Sequence, residues 1–488
     1  MNTPIRRLAV ACLVLFMALL VNITYLQAYE ASDLNERQNN RRVIDEQFSR
    51  ERGAIVVAGE PVAESVPSDD QYEFQRTYPE GPLYAPVTGF FSYNFGSTNI
   101  EDSFGSLLSG SDDRLFVNRV VDLLANRQPK GGSVELTIDP VAQQVAAAGL
   151  AALGDGTKGA VAALDPSTGE VLALVTQPSY DPNALASHDF SATTDVYEAL
   201  TSDPNQPMLN RATQQIQPPG STFKLVTAAA ALSQLDLNPG SEVRGGTTLD
   251  FPGIDYTLPN QGNGNCGGDV ITLEEALNIS CNVTFGDLAG KVGQEALLEQ
   301  ARKFGFGDDL IDSIASNASR FTTEGTDLEA PQLAQSGIGQ FEVAATPLQM
   351  AMVAAGIAND GVVMTPYVVD QVLAPNLSVL EENEPEEYGR ALDSGDAAAL
   401  RQMMVSTVQS GTGTSARIPD VEVGGKTGTA ERGSGLPNLA WFVSYATAGD
   451  RQVAVAVMVE SAQANDDISG GRLAGPIARA VMEAVLAP

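Results

Sequence analysis

A serine and a lysine three positions apart follow two prolines and a glycine in the segment 218–224. The Pro-Pro-Gly sequence interrupts the preceding chain, so we expect Ser221 at or next to the first turn of the apolar helix that follows. Backbone N–H groups and the helix dipole favour negative charge on an oxygen there. Lys224 lies on the same helix face, and burial would make it a neutral amine that accepts the serine proton. The spacing alone is common, but with this start it predicts a serine nucleophile and a lysine base.

A second candidate segment consists of Ser280, Cys281 and Asn282. It follows a helical stretch that opens with the capping box 272–275. Taken alone, these three residues are equally well explained as the end of that helix.

A third candidate segment, 424–430, combines glycines and threonines with one lysine between strand-forming residues. Its small side chains leave a strand edge open, so an extended peptide could pair with the backbone. Lys426 and the hydroxyls of Thr427 and Thr429 would then hold a carboxylate.

Lysine is scarce in this sequence, since only six of the 28 basic residues are lysines. Arginine cannot lose its proton in a protein, so a position that needs a base or a compact cation cannot exchange lysine for it. Lys224 and Lys426 are two of the six, which favours a chemical role for both. The alternative is that they are compositional leftovers.

The elements that must position these residues are strands from both ends of one domain. Residues 159–164 and 170–176 are of strand type and predict a hairpin, as do 440–446 and 452–460. The region 180–420 between them has a mostly helical, Ala- and Leu-rich pattern. We therefore expect an α+β fold, with an antiparallel sheet flanked by helices.

The N-terminus predicts export and a membrane anchor. Arg6 and Arg7 precede an apolar run, 8–28, that is long enough to cross a bilayer as a helix. The positive charges place residues 1–7 in the cytoplasm and the chain from residue 30 outside it. An uncleaved single-pass anchor in the cell membrane is favoured over a removed signal peptide, because no Ala-x-Ala site follows the run.

The remaining chain divides near residue 132. Residues 29–132 predict a polar stalk and an irregular module that contains strands, and residues 133–488 predict the catalytic domain. The catalytic domain starts with a short strand and an Ala-rich helix, 140–153, for which Asp139 is the expected N-cap.

Composition excludes several other functions. A formal net charge of −33 would repel phosphate backbones and anionic headgroups, so no nucleic-acid partner is expected. A single histidine, His188, rules out a His-rich metal site, and a Ser-His-Asp mechanism would depend on it alone. The cysteines form no Cys-x-x-Cys pair, and the acidic run 381–387 is interpreted as a solvated loop. No metal or other cofactor is therefore expected.

Ser-x-x-Lys, Ser-x-Asn and Lys-Thr-Gly, in this order, resemble the three motifs of the penicillin-binding proteins and serine β-lactamases. The likeness runs from about residue 133 to the C-terminus. Further stretches similar to the penicillin-binding transpeptidases are Leu164–Glu170, Pro178–Asn183, Asn210–Ala212, Ile338–Gln340, Thr346–Gln349 and Ala440–Val443.

Upstream, Arg52–Ile55 and Arg76–Pro79 resemble the start of the non-catalytic pedestal domain of the class B, monofunctional members. The chain between the anchor and residue 133 is too short for the glycosyltransferase domain of class A members. The whole chain is similar to the short, PbpA type of class B protein.

The resemblance implies a peptidoglycan D,D-transpeptidase that cross-links stem peptides and is inhibited through acylation by β-lactams. Ser221 would be the acylated nucleophile and Lys224 its general base. Ser280 would pass a proton to the leaving D-Ala nitrogen, and Asn282 would bind the substrate's peptide amide.

The third motif would bind the carboxylate end of the substrate. Lys426 would supply positive potential, and the segment of Thr427, Gly428 and Thr429 would hold the terminal carboxylate. The backbone N–H groups of Ser221 and Thr429 would form the oxyanion hole. A polytopic membrane glycosyltransferase is the partner that the resemblance implies.

Two cysteines lie close to this motif set. Cys266 precedes the capping box in a Gly- and Asn-rich loop, and Cys281 is the middle residue of the second motif. Outside the cytoplasm a disulfide between them is permitted, and two free thiols are the alternative. Cys12 lies in the predicted anchor.

Other functions compete with this interpretation. A D,D-carboxypeptidase or a β-lactamase would use the same motifs, although no motif supplies the water-activating residue that a β-lactamase needs. A β-lactam sensor or an assembly scaffold with a vestigial site is the non-enzymatic alternative, which three intact motifs disfavour.

Overall fold

The computed structural model describes residues 2–30, 45, 47–125, 128–323, 325–433, 436–461 and 469–487. Its strands are β1 (Ile55–Val57), β2 (Glu60–Pro67), β3 (Phe74–Thr77), β4 (Phe91–Ser92), β5 (Gly96–Ser97), β6 (Ser133–Leu136), β7 (Lys158–Leu164), β8 (Val171–Gln177), β9 (Glu242–Arg244), β10 (Thr248–Asp250), β11 (Thr257–Pro259), β12 (Val270–Thr272), β13 (Val362–Met364), β14 (Val369–Leu373), β15 (Val379–Glu382), β16 (Glu387–Arg390), β17 (Glu422–Ala430), β18 (Leu439–Ala448) and β19 (Arg451–Ser461).

Its α-helices are α1 (Asn2–Ala28), α2 (Gly81–Thr88), α3 (Asn99–Ser103), α4 (Gly105–Leu108), α5 (Phe116–Leu124), α6 (Pro140–Ala151), α7 (Asn183–Ala186), α8 (Phe190–Ser202), α9 (Lys224–Leu235), α10 (Leu273–Asn278), α11 (Asn282–Val292), α12 (Gln294–Lys303), α13 (Ala330–Gly337), α14 (Pro347–Ala358), α15 (Ser394–Ser410) and α16 (Gly475–Leu486). A short 3₁₀ helix, Gly220–Phe223, leads directly into α9.

Helix α1 is exposed along its described length and contains a 26-residue apolar segment, Thr3–Ala28. About 20 residues suffice to cross the hydrocarbon core, so this helix is compatible with a single-pass membrane anchor. It begins at Asn2, inside the segment 1–7 predicted as a tail, because Arg6 and Arg7 are themselves good helix formers. The predicted stalk falls largely on residues 31–44 and 46, which lie outside the described residues.

The chain upstream of residue 133 contributes to a six-stranded sheet with the order β15-β14-β6-β1-β2-β3. Strand β1 pairs in parallel with β6, and β14 joins β6 on its other side. Strands β6, β14 and β15 come from beyond residue 132, so the chain on both sides of the expected boundary contributes to one sheet.

The acidic run 381–387 corrects one sequence interpretation. Glu381 and Glu382 belong to β15, and Glu387 begins β16, so the ends of this run are strand rather than loop. Their side chains are largely exposed, because β15 forms the outer edge of its sheet and an edge strand tolerates charged residues there.

A buried ionic cluster explains the arginines of the two upstream stretches. Arg52 Nε and Arg76 Nε each donate to the carboxylate of Glu101 at 2.6 Å, and the Tyr78 hydroxyl donates to the same carboxylate at 3.1 Å. Burial alone would raise the pKa of Glu101, but the two guanidinium groups outweigh it and hold that pKa below its usual range.

The catalytic domain is built on a five-stranded sheet with the order β17-β18-β19-β7-β8, antiparallel at every pairing. The two predicted hairpins are confirmed as β7–β8 and β18–β19. Strands from both ends of the domain meet where β19 pairs with β7. The expected α+β architecture with flanking helices is therefore present.

Helices cover both faces of this sheet. Helices α6 and α16 pack together on one face, and α14, which is buried along its whole length, packs on the other. Helix α6 starts as predicted, since the Asp139 side chain accepts hydrogen bonds from the backbone N–H groups of Val141 and Ala142. Both faces are apolar, so the sheet forms the rigid centre of the domain.

The region 180–420 is less uniformly helical than its composition suggested. It contains short strand pairs, β9–β12, β10–β11 and β13–β16, between its helices. Strands of three or four residues are too short to show a period of two. Two of these pairs frame the loop that borders the candidate site.

Candidate active site

Ser221 lies in the 3₁₀ helix at the start of α9, which is buried along its first nine residues. The turn is held by the Thr222 hydroxyl, which donates to Pro219 O at 2.8 Å. Ser221 itself is partly exposed. The predicted position of this serine at the first turn of an apolar helix is confirmed.

The turn that carries Ser221 lies directly against strand β17. Gly220 has a φ of +54°, and a Cβ there would come within 2.8 Å of Thr429 O. A Cβ on Gly428 would come within 2.9 Å of Pro219 O. Glycine at these two positions therefore lets the backbones of Ser221 and Thr429 approach each other.

Lys224 is fully buried and its amine contacts the second motif. Its Nζ donates to Asn282 Oδ1 at 2.7 Å and to Ser280 O at 2.8 Å, and it lies within hydrogen-bond distance of Ser280 Oγ at 3.2 Å. Among the described residues, Ser221 Oγ is not one of its hydrogen-bond partners. The structure thus brings Lys224 to Ser280 and Asn282 from the helix that begins beside Ser221.

The surroundings of Lys224 favour its neutral form. Burial, and secondarily the nearby Lys426, lower the pKa of Lys224 well below its usual range. The Nζ also lies 5.6 Å from the centre of the Phe285 ring. Within the described residues, the oxygens that contact Nζ are carbonyl and hydroxyl oxygens rather than carboxylates, so no negative charge restores the ammonium form.

Lys426 is buried on strand β17 and reaches the same serine. Its Nζ donates to Ser280 Oγ at 2.8 Å and to Thr427 O at 2.9 Å. Burial lowers the pKa of Lys426 to about 7. Ser280 Oγ therefore lies between two lysine amines that both lose protons far more easily than a lysine in water.

The second motif connects two helices. Ser280 follows α10 with a left-handed φ of +62°, and Asn282 begins α11. Of the predicted capping box of α10, the N-cap half is observed, since Thr272 Oγ1 accepts from Glu275 N at 3.1 Å. The motif is thus more than a helix end, because a sharp turn aims Ser280 and Asn282 at Lys224.

Cys266 and Cys281 form a disulfide with Cα atoms 5.7 Å apart. Of the two arrangements that the sequence left open, the structure has the bonded one. The bond joins the Gly- and Asn-rich loop to the second motif. Cys12 is free and exposed on α1.

A cleft of about 150 Å³ opens where the three motifs meet. Its walls combine residues of all three motifs with the disulfide loop. The lining residues are Ser221, Asn260, Gln261, Gly264, Asn265, Cys266, Ile279, Ser280, Cys281, Thr412, Thr427 and Thr429.

Several residues of this cleft were missed from the sequence, and two of them make hydrogen bonds that support the site. Thr412 Oγ1 accepts from the Thr427 hydroxyl at 2.7 Å and so holds one of the expected carboxylate-binding side chains. The glycines on either side of Thr412 were the available signal. Asn260 is buried beneath the disulfide loop, and nothing in its local sequence distinguishes it from its neighbours.

His188 does not line this cleft. It hydrogen-bonds Asp70 and packs among aromatic rings that include Phe48 and Tyr72. The residues of the three motifs therefore come together without a histidine.

Comparisons with known proteins agree with this geometry. A family model described as the penicillin binding protein transpeptidase domain matches residues 159–483. A second, described as the penicillin binding protein A dimerisation domain, matches residues 52–134.

Relatives match the chain along its full length. It is 42% identical to the peptidoglycan D,D-transpeptidase PbpA of Mycolicibacterium smegmatis, with 100% of this chain and 99% of that protein covered. It is 40% identical to the protein of the same name from Mycobacterium tuberculosis, again with 100% and 99% covered.

A solved structure is also similar. The ceftriaxone acyl-enzyme complex of penicillin-binding protein A from M. tuberculosis matches with a TM-score of 0.85 and 38% identity, over 91% of this chain and 100% of that one. The family model matches more than half of the chain, and the three motifs converge in one cleft. The chain therefore belongs to the penicillin-binding protein transpeptidase family.

Proposed function

We propose that this protein is a membrane-anchored peptidoglycan D,D-transpeptidase that acts through an acyl-enzyme on Ser221. The convergence of Lys224, Ser280 and Lys426 beside the turn of Ser221 carries the proposal. In the first half-reaction, Ser221 Oγ attacks the carbonyl carbon of the penultimate D-Ala of a stem peptide. The peptide bond breaks and the terminal D-Ala leaves as an amine.

In this scheme Lys224 is the general base. A neutral amine has two N–H groups and one lone pair. Ser280 O and Asn282 Oδ1, at 2.8 and 2.7 Å, can take the two N–H groups. The lone pair then remains for a hydroxyl proton. The lowered pKa of Lys224 supports this role, because a base must be unprotonated at the working pH.

Ser280 delivers a proton to the leaving nitrogen. Its hydroxyl hydrogen-bonds both Lys224 and Lys426, so a proton that it gives up can be replaced from either amine. This connection lets a proton taken from Ser221 reach the departing D-Ala without free water. In the second half-reaction the acceptor amine attacks the ester carbonyl, a proton returns to Ser221, and the cross-link forms.

The backbone N–H groups of Ser221 and Thr429 stabilise the oxyanion. The glycine-permitted contact between the two segments supports this assignment, since it brings their backbones close together beside the cleft. Preorganised donors of this kind act where charge develops and need no rearrangement during the reaction.

Substrate binding falls to the third motif and to Asn282. Thr427, Gly428 and Thr429 form the strand along which the extended stem peptide lies, and the two threonine hydroxyls hold its terminal carboxylate. Lys426 contributes positive potential in its protonated form. Asn282 binds a peptide amide of the substrate.

The domain layout and location follow from the same proposal. Residues 1–7 lie in the cytoplasm, 8–28 cross the membrane, 29–132 form the stalk and pedestal, and 133–488 form the catalytic domain outside the cytoplasm. The arginines that precede the apolar run support this orientation. A polytopic membrane glycosyltransferase that makes the glycan strands is the proposed partner.

Covalent labelling with a fluorescent penicillin tests the function. We expect one label per chain, on Ser221, and no label on Ser221→Ala. Ser233→Ala is the matched control, because Ser233 lies on the same helix, is exposed, and donates to Ala229 O. It should be labelled at the wild-type rate.

The lifetime of the adduct separates the alternative functions. A transpeptidase keeps the penicilloyl ester for hours, whereas a β-lactamase hydrolyses it in less than a second, and a scaffold with a vestigial site forms none. Label on folded Ser221→Ala protein would refute the assignment of the nucleophile.

A further inference from the structure

Asn260 is a buried amide, 7% exposed, in the Gly- and Asn-rich loop that the disulfide joins to the second motif. Its Oδ1 accepts hydrogen bonds from the backbone N–H groups of Asn282 at 3.0 Å and Val283 at 3.1 Å. These are the first two residues of α11. A side chain more than 20 positions upstream therefore satisfies the N–H groups that begin this helix.

The helix needs this outside cap because its own N-cap residue cannot supply one. Cys281 occupies the N-cap position and makes no side-chain cap hydrogen bond, because its sulfur is committed to the disulfide. Unpaired N–H groups at a buried helix start are costly. Asn260 does for α11 what a serine or aspartate at position 281 would do elsewhere.

The other half of the Asn260 amide holds the disulfide loop. Its Nδ2 donates to Gly246 O at 2.8 Å and to Gly264 O at 2.9 Å. The adjacent Pro259 O accepts from the Asn282 side chain at 3.0 Å. One side chain thus ties the wall of the cleft to the second motif.

These contacts extend from Asn260 through Asn282 to Lys224, the proposed general base. Because the Asn282 amide nitrogen is committed to Pro259 O, its oxygen faces Lys224 and accepts from Nζ at 2.7 Å. A shift of the α11 start would move this oxygen and Ser280 away from Lys224 together. Lys426 contacts the same serine from strand β17.

We propose that Asn260 is a positioning residue for the acylation step, with separate work for the two ends of its amide. The oxygen fixes Asn282 and through it Lys224, so it governs the rate of acylation. The nitrogen fixes the loop that lines the cleft, so it governs the binding of the peptide or the β-lactam. This inference rests on the proposed function, because it assigns Asn260 to the reaction of Ser221.

The two ends can be separated by substitution. Asn260→Asp keeps an acceptor for the two N–H groups and loses the donors to the loop. Asn260→Ala loses both. The experiment uses the full chain in detergent micelles and fluorescent penicillin over a range of concentrations, which resolves the first-order acylation constant k2 from the apparent dissociation constant K.

We expect k2 of Asn260→Ala to fall by about 10²-fold, the effect of misplacing a catalytic group by about 1 Å. Asn260→Asp should keep k2 within about tenfold, since the cap remains, and should raise K severalfold. A role in stability alone would lower the melting temperature while leaving k2 and K of the folded fraction unchanged.

Asn210 offers a matched control. It is also a buried amide that accepts from a backbone N–H, that of Ala212 at 3.1 Å, and donates to a distant carbonyl, Pro86 O at 2.9 Å. Asn210→Ala should lower the melting temperature and leave k2 and K unchanged.

The outcomes distinguish this inference from the proposed function. A wild-type chain that penicillin does not acylate would refute the function itself. A wild-type chain that is acylated, with Asn260→Ala at the same k2, would refute only the role of Asn260. If Asn260→Ala does not fold, the test rests on Asn260→Asp. Wild-type values of both k2 and K in Asn260→Asp would then overturn the proposal.

Discussion

Lys426 Nζ donates a hydrogen bond of 2.8 Å to Ser280 Oγ, although the two residues come from a strand and a turn that are far apart in the sequence. Lys224, which belongs to the first motif, contacts the same hydroxyl at 3.2 Å. The two amines therefore titrate as a coupled pair, in which a proton on one disfavours a proton on the other. The proposed roles require opposite states, with Lys224 neutral and Lys426 charged.

This pairing predicts the pH dependence of acylation. Lys426 must be protonated to attract a carboxylate, and its pKa of about 7 means that it loses this charge as the pH rises through neutrality. We expect k2/K for penicillin to fall above about pH 7, by up to about tenfold per pH unit. At saturating penicillin the fall in k2 should begin at higher pH, because the bound carboxylate raises the pKa of Lys426.

Lys426→Arg is the control for this profile. Arginine keeps its proton at every accessible pH, so the fall above neutrality should disappear even if the absolute rate is lower. Stopped-flow acylation between pH 5 and pH 9 measures both proteins. A wild-type k2/K that stays constant across neutrality would exclude Lys426 as the titrating group.

The role of Lys224 leads to a different substitution. Lys224→Arg keeps a basic side chain of similar length, but a guanidinium cannot accept the serine proton. We expect acylation to slow by about 10²-fold or more, the usual contribution of a general base. Lys303→Arg, on the exposed face of α12, is the matched control. Near-normal acylation of Lys224→Arg would show that the site needs only positive charge at this position.

The sequence predicted the parts of the site that local chemistry determines. The Pro-Pro-Gly start places Ser221 and Lys224 on one helical turn, and small residues around Lys426 mark an open strand edge. These features depend on neighbours within a few positions. The position of each motif is therefore available from the sequence, and the resemblance to a family supplied their roles.

Contacts between distant segments could not be predicted from the sequence. No periodic or compositional signal in the sequence shows that β1, β6 and β14 share one sheet. None shows that Asn260 caps α11. The helical region 180–420 was interpreted too simply for the same reason, since three-residue strands are defined by their partners rather than by their own sequence. Long-range pairing has to be seen in three dimensions.

The buried cluster of the pedestal predicts a stability effect far from the active site. Glu101 is fully buried between Arg52 and Arg76. Glu101→Gln leaves two buried guanidinium groups without a counter-charge, and we expect it to lower the free energy of unfolding of the pedestal by about 3–5 kcal/mol. Glu483→Gln, which breaks an exposed ion pair with Arg479, should cost less than about 1 kcal/mol.

The same cluster sets an acid limit on stability. The folded-state pKa of Glu101 lies below its ordinary value of 4.5. The stabilisation that the ionised Glu101 gives to the folded state is therefore complete above pH 4.5. It is lost as the pH falls through the lower, folded-state pKa of Glu101. Thermal unfolding followed by circular dichroism should show this acid loss in the wild type and a flatter profile in Glu101→Gln. Equal profiles would mean that other carboxylates govern the acid limit.

The disulfide predicts that reduction affects stability and activity together. Cys266 and Cys281 are 15 positions apart, for which the loop-entropy estimate is roughly 3 kcal/mol. The bond also ties the cleft wall to Ser280, so reduction should lower both the melting temperature and the rate of penicillin acylation. Cys266→Ser should reproduce both effects and make a reductant irrelevant, and Cys12→Ser in every protein compared removes the thiol of helix α1. Mass spectrometry after alkylation without reductant tests whether the disulfide forms. Alkylation of both Cys266 and Cys281 would show that it does not, and the loop would then be held by Asn260 and packing alone.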